Sequence, residues 1–555
     1  MRPIVRAFVL AAVALAWSKP ASAQTPADIV LLNGKIVTVD DRFTVAEALA
    51  IKGERILAVG SNAEIETHKG PLTRVVDLNR RTVIPGLIDN HAHYMRAAEY
   101  WHREVRLDGI TSHREALDLI KHKAAESKPG EWVVVLGGWA EEQFVDEPRG
   151  FSRAELDGIA PNNPVALQLF YFRVYANTAA LKAMGIGPAT PDPTGIKIEK
   201  DDKGELTGAL NGGPSIGLLR DKLGAVARDK AVENARVLMH DLNKMGITAF
   251  QDQGGTGMKA SHIEAFHMAH DAGQMTVRSF YNYYEEPRSV ADVENLIARM
   301  AQIRPFQGDD WFDLTGYGET LYFPLHDALL AKSRKSVRRS AAALATARPG
   351  AGEKRHSPQC ARAVARKHRR LPDSDGSHQQ RTADQGIALD IFASRSGTGA
   401  GPRAYEAARH LRPDPQPPHH PRCTHVQGAW RSHLQHAAAA MIQDSGIPWG
   451  LGSDATAVTP SSPFTTLWWA VTGKMIGGKQ VLRQTISREE ALIAHTRANA
   501  VFLFQEGNLG SLAPGKYADL LVLDRDYLTV PADEILAIKP LLTMVGGKTV
   551  YDVMR

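Results

Sequence analysis

The chain has 555 residues, of which 43% are hydrophobic and 23% charged, with a formal net charge of +5. It is too long for one small core, and this composition predicts a globular protein with one large domain and a smaller one. Two cysteines, Cys360 and Cys423, exclude a disulfide framework.

The first 23 residues read as an export signal. Arg2 and Arg6 precede an apolar run of 11 residues from Ala7 to Trp17, and Ala21-Ser22-Ala23 is a small-residue cleavage site. Nothing later reaches the ~18 apolar residues of a membrane span. The expectation is a periplasmic or secreted protein, cleaved after Ala23, with no membrane span.

Residues 28–60 alternate short β-branched runs with Asn-Gly and Gly-Glu turns, a pattern that predicts antiparallel hairpins. Residues 515–530 and 541–554 have the same character. A small β-sandwich built from both chain ends, 24–80 with 507–555, is therefore expected. Between them, strands alternate with helices, which indicates parallel βα units. Strands are predicted in RTVIPGLIDN (81–90), MGITAFQDQGG (245–255), MTVRSFYNYY (275–284), WFDLTGYGETLYF (311–323) and GIPWGLGSDA (446–455). Helices are predicted over 231–244 and 261–272, and from the Ser487/Glu490 capping box to about Ala500. Residues 100–235 exceed a plain crossover and predict an inserted lobe within an 81–506 domain.

Residues 331–440 differ from the rest. They carry 20 basic against 7 acidic residues, a net of +13, and leave the remainder at 46 against 54, a net of −8. Nine of the 21 histidines and only three aromatic residues, Phe392, Tyr405 and Trp430, fall there. The stretch shows neither helical nor strand periodicity. A disordered basic insertion, a nucleic-acid arm and an out-of-frame translation between two compensating frame changes all fit that composition. Length separates them. Four strands precede the stretch and one follows. An eight-stranded barrel would lack three βα units, about 105 residues at roughly 35 each. The stretch is 110 residues long, so it replaces barrel sequence, favours the out-of-frame reading and is not expected to be native-like.

The chemistry concentrates at four residues. His91 and His93 are i and i+2 on an extended segment, so both imidazoles project on one side and can converge on a metal ion. A pair of surface or buried histidines in a turn is the alternative. Asp454 follows the last predicted strand, where a carboxylate can ligate metal and accept a proton from water; a loop cap is the alternative. Glu319 ends another strand beside glycines that permit close approach, as a metal ligand or as a surface carboxylate. Asp252 reads as a structural hydrogen bonder. Trp468 and Trp469 read as packing or as pocket walls, and Phe170, Tyr171 and Phe172 as a cover over the site.

VIPGLIDNHAH (83–93), GLGSDA (450–455) and LGSLAPGKYADLLVLD (509–524) together resemble the amidohydrolase superfamily. The resemblance is to its subgroup around N-substituted formamide deformylases and N-acyl-D-amino-acid deacylases. It covers roughly residues 24–326 and 441–555. It implies an α/β fold, a (β/α)8 TIM-type barrel with a small β-sandwich from both ends. It also implies one or two divalent metals, usually zinc, that activate water to hydrolyse a non-peptide C–N bond. His91 and His93 match the strand-1 ligands, Asp454 the strand-8 general base and ligand, and Glu319 the place of a bridging carboxylated lysine. Two further histidine ligands of the family should fall within 331–440. None of His356, His368, His378, His410, His419, His420, His425, His433 or His436 follows a barrel strand. The alternative is therefore a catalytically dead amidohydrolase-like protein. The partners expected are a small-molecule amide-type substrate and, at most, further copies of the chain, with no nucleic acid.

Overall fold

The structure is a computed structural model that describes residues 26–320, 322–323, 443 and 448–554. The predicted signal at 1–23, the segment 331–440, both cysteines and the nine histidines named above lie outside the described residues.

Strands in chain order are β1 Ile29–Leu32, β2 Lys35–Val37, β3 Val45–Ala46, β4 Ala48–Lys52, β5 Arg55–Gly60, β6 Arg74–Asp77, β7 Thr82–Pro85 and β8 Leu87–Ala92. They continue with β9 Val133–Val135, β10 Val165–Leu169, β11 Arg173–Ala176, β12 Lys197–Lys200 and β13 Leu206–Asn211. The last are β14 Ile247–Asp252, β15 Arg278–Tyr283, β16 Phe312–Tyr317, β17 Leu520–Leu523, β18 Pro540–Val545 and β19 Lys548–Asp552.

The two chain ends supply two sheets, ordered β5-β4-β1-β6 and β19-β18-β17-β7-β2-β3. Alternating side chains from each enter one shared core, with Leu31, Leu49 and Ile56 meeting Ile36, Val83, Leu520 and Met544. The hairpin reading needs correction at Asn33-Gly34. That turn does not close a hairpin, because β1 pairs with β4 and β6 whereas β2 pairs with β3 and β7. It passes the chain from one sheet to the other, with Asn33 at φ 60°. The Gly53-Glu54 turn does join antiparallel β4 and β5.

The strand predicted over 81–90 is two strands. β7 pairs with β17 in the terminal sheet, and β8 pairs with β14 in another. Gly86 divides them, and a Cβ there would stand 2.1 Å from Thr248 Oγ1. The β8 sheet is parallel, ordered β16-β15-β14-β8. Helices Arg228–Lys244 and Ala260–Asp271 pack against each other beside it, burying Leu238, Leu242 and Phe266 with Ile247 and Phe250. A closed eight-stranded barrel is not present among the described residues, which give four parallel strands.

Residues 133–211 form a separate five-stranded sheet, β12-β13-β11-β10-β9, between β8 and β14 in sequence. The strand predicted over 446–455 is also corrected. From residue 448 to Asp454 the chain is not in a strand, and its ladder is a single parallel bridge, Ala92 to Ala455. Asp454 has φ 55°, a left-handed conformation that breaks extended pairing. The helix predicted from Ser487 to Ala500 starts at the expected capping box but is two helices, Arg488–Ala494 and Arg497–Phe502. The break at His495-Thr496 lets the buried Asn499 side chain donate to the carbonyls of Ile88 and Leu451 at 2.6 and 2.7 Å.

Candidate metal centre

β8 presents Asp89 and His91 at alternate positions and His93 follows one residue past its end, so the three continue one alternating row. His91 and His93 are buried, 6% and 2% exposed. Their rings meet edge to face with centroids 5.5 Å apart. His93 Nδ1 lies 2.6 Å from the Gly254 carbonyl, which assigns its proton to Nδ1 and turns the Nε2 lone pair inward. His93 Nε2 is 3.0 Å from Asp454 Oδ1.

Asp454 arrives from the 448–455 segment, held by two main-chain bonds. Its N–H donates to the His91 carbonyl at 2.8 Å, and His93 N–H donates to the Ala455 carbonyl at 2.7 Å. Glu319 lies two residues beyond β16. Its Oε2 is 3.3 Å from His91 Nε2 and 3.9 Å from His93 Nε2. All four side chains singled out in the sequence thus face one another. Ligand atoms of His91, His93 and Asp454 lie within 4.8 Å of one another. Two imidazoles and carboxylate oxygens at this spacing suit a divalent metal, zinc among them. The carbonyl bond on the far nitrogen of His93 is the usual second partner of a ligating imidazole.

Burial by itself would lower the His93 pKa. The charge of Glu319 and the hydrogen bond that the protonated ring donates from Nε2 to Asp454 outweigh it and hold it above the ordinary value. That field of two carboxylates against buried imidazoles also attracts a cation.

Several supports were not legible in the sequence. Asp89 is fully buried and accepts from Ser453 Oγ at 2.5 Å, Ser453 N at 3.0 Å, Tyr94 OH at 3.0 Å and His91 N at 3.2 Å. Its period-two spacing with the histidines was the available signal. Gly255, at φ 100°, lies against the cluster, and a Cβ there would stand 2.9 Å from His93 Cε1 and 3.0 Å from Glu319 Oε1. Arg96 is buried, bonded to the Thr256 carbonyl and, at 3.3 Å, to Tyr171 OH. Asp252 accepts from Met95 N and Gly254 N at 2.8 and 2.9 Å, a structural arrangement.

Trp468 and Trp469 are packed in a core cluster and also line a cavity together with Phe170 and Phe172. A second acidic group, His113 with Glu147 and Glu155, is already occupied by a cation. Arg149 Nη2 lies 2.7 Å from Glu147 and 2.5 Å from Glu155.

The sequence profile of the amidohydrolase family matches residues 74–551. The chain belongs to that family. The expectation of an amidohydrolase and of a hydrolytic enzyme is borne out by this match. The N-substituted formamide deformylase of Arthrobacter pascens is 28% identical to this amidohydrolase over 559 residues, covering 95% of this chain and 98% of that one. The Arabidopsis thaliana protein LONG AFTER FAR-RED 3 is 35% identical over 201 residues, 35% of this chain and 34% of that one. The crystal structure of a metal-dependent hydrolase from Pyrococcus furiosus shares the fold. Its TM-score is 0.50 at 16% identity, covering 90% of this amidohydrolase and 100% of that chain. Among the described residues of this amidohydrolase no helix is long and apolar enough to cross a membrane.

Proposed function

We propose that this amidohydrolase cleaves carbon–nitrogen bonds of small amide-type molecules. In this reading His91, His93, Glu319 and Asp454 hold one or two divalent metal ions, zinc by the nature of the donors. The observation that carries it is the convergence of His91, His93 and Asp454. The parallel sheet is read as part of a (β/α)8 barrel over 81–506, with the terminal sheets as its sandwich; the strand order and the shared fold support this.

A divalent ion bound there supplies a Lewis acid that makes water acidic enough to attack a carbonyl carbon near neutral pH. The chain's own part is to position and to move a proton. Asp454 carries an acceptor oxygen beside His93 and takes the proton of the attacking water. It returns that proton to the leaving nitrogen, which would otherwise depart as a poor amide anion. His93 keeps its tautomer through the Gly254 carbonyl, so its inward nitrogen stays an acceptor. Substrate reaches the cluster from the Glu319 side, where the carboxylate is 27% exposed.

The test is to purify the full chain, measure its metal content, and assay N-formyl and N-acyl amines before and after chelation. One or two metal ions per chain, activity lost on chelation and restored by zinc, and turnover abolished in a folded Asp454→Asn variant are expected. Metal-free protein with unchanged hydrolysis, or full turnover in Asp454→Asn, would sink the reading.

A further inference from the structure

Two arginines stand beside the metal centre without a carboxylate. Arg96 lies in the short helix Tyr94–Ala98 that follows His93, and it is 6% exposed. Its partners are neutral oxygens, the Thr256 carbonyl and, at 3.3 Å, Tyr171 OH. Arg220 lies in the last turn of helix Pro214–Leu223, and its Nε is buried with no hydrogen-bond partner. Among the described residues neither arginine makes a salt bridge. Charges taken out of water are normally paired.

The two guanidinium groups are also close. Gly257, at φ 84°, touches both side chains, since a Cβ there would stand 3.2 Å from Arg220 Nη1 and 3.9 Å from Arg96 Cδ. Burial and the Arg96 charge push Arg220 down to about 10, so it remains a cation at neutral pH. A cation in the last turn of a helix commonly serves the terminal carbonyls. Here the Leu223 carbonyl accepts Arg103 Nη1 at 3.0 Å and the Gly224 carbonyl accepts Tyr100 OH at 2.8 Å. Glu104, whose charge reaches Arg220, is bonded to Arg106 at 2.6 Å.

One loop joins this pair to the metal centre. Gly255 lies against His93 and Glu319, and Gly257 against the arginines. Cα atoms two residues apart are separated by at most about 7 Å. The charge of Arg96 acts on His93, and that of Glu319 acts on Arg96. Tyr171 OH accepts from Arg96 and keeps its own proton to donate. Thr256 and Gly257 are exposed, which opens the pair to solutes.

The geometry points to an oxyanion site in which Arg96, Arg220 and the Tyr171 hydroxyl bind a carboxylate or phosphate group. Guanidinium groups and a hydroxyl are the donors such a group takes. The site stands on the unpaired arginines and does not need the hydrolytic reading. The anion is either carried by the substrate amide or a free ion.

The experiment uses the full chain as purified, with Arg220→Met and Arg220→Lys beside it. Inorganic phosphate should raise the wild-type Tm. Arg220→Lys should keep part of that rise and Arg220→Met should lose it, with a phosphate Kd by calorimetry weakened at least about tenfold. Without phosphate, Arg220→Met should be at least as stable as the wild type, because it removes an unpaired charge. Phosphate held by a metal ion alone would not respond to Arg220, so equal affinities in wild type and Arg220→Met overturn the site. A drop in stability of Arg220→Met without phosphate, beside an unchanged phosphate response, overturns it as well.

The source of the anion is read from N-formylglycine and N-formyl-β-alanine against N-alkylformamides of matching length. A loss of at least about tenfold in kcat/KM in Arg220→Met, confined to the carboxylated formamides, places the anion on the substrate. Equal use of both sets, with phosphate binding lost in Arg220→Met, makes it a free ion. No hydrolysis of any formamide, with phosphate binding lost in Arg220→Met, overturns the hydrolytic reading and supports the site. No phosphate response and no preference for the carboxylated formamides overturns the site.

Discussion

Asp89 Oδ2 accepts the Ser453 hydroxyl at 2.5 Å while Oδ1 accepts the Ser453 N–H at 3.0 Å. This two-point clamp joins β8 to the 448–455 segment one residue before Asp454 and two before His91. It sets the register between imidazoles and carboxylate across 364 residues of sequence. Ser453→Ala should keep the fold and weaken metal binding by roughly tenfold or more, because partners behind the ligands orient them. Competition with a chelator of known affinity reads it directly; unchanged affinity would show that the clamp does not position the site.

Gly255 lies against His93 and Glu319 with φ 100°. Gly255→Ala adds both backbone strain and a methyl group within about 3 Å of two proposed ligands. The expected result is reduced metal content at little cost to secondary structure. Circular dichroism beside elemental analysis separates the two, and full metal loading would contradict the close approach.

Arg278 and Asp519 form a two-bond ion pair at 2.8 and 3.2 Å, 0% and 5% exposed, between β15 and the residue preceding β17. Asp519 also accepts Gly546 N at 2.7 Å, and the guanidinium lies 4.0 Å from the Tyr517 ring centre. Asp519→Ala leaves a buried cation unpaired and should cost about 3–5 kcal/mol. The double change Arg278→Met with Asp519→Leu should cost less than Asp519→Ala alone. Denaturant titrations of the variants settle it.

His495 is fully buried, and burial lowers its pKa to about 4, although its Nδ1–H donates to the Ile88 carbonyl at 3.3 Å. A free imidazole protonates near 6.5. Below that pH the unfolded chain binds a proton that the folded one refuses until about pH 4. Stability from this residue is therefore complete above about pH 6.5 and falls by roughly 3 kcal/mol as the pH drops toward 4. Unfolding free energies of the wild type and His495→Gln, measured from pH 7 to 4, should show a shallower slope in the variant. Parallel slopes would exclude the residue as a source of acid sensitivity.

The candidate metal-site residues were legible because each carried local punctuation. His91-Ala92-His93 has the period of a strand, and Asp454 and Glu319 follow glycine-rich apolar runs. The clamp was not, since Asp89 gains its meaning from Ser453, far away in sequence. Sheet membership was equally hidden. The run from Val83 to Ile88 is apolar throughout, and nothing local says that Pro85 faces Leu520 while Ile88 faces Ala249. The helix break at Thr496 has the same origin. Propensity favours one helix there, and the Asn499 bonds to two distant carbonyls override it. Asp454 was placed on a strand end that its left-handed backbone does not form.

The division of one extended run at Gly86 ties the terminal sheets mechanically to the chemistry. β7 is gripped by β17 and β2, and one residue later the same chain becomes the strand that carries His91. Slack in the terminal sheets would therefore be transmitted as axial play in the histidine-bearing strand. Substitutions that loosen the pairing of β7 are therefore expected to disturb the placement of His91 before they unfold the chain.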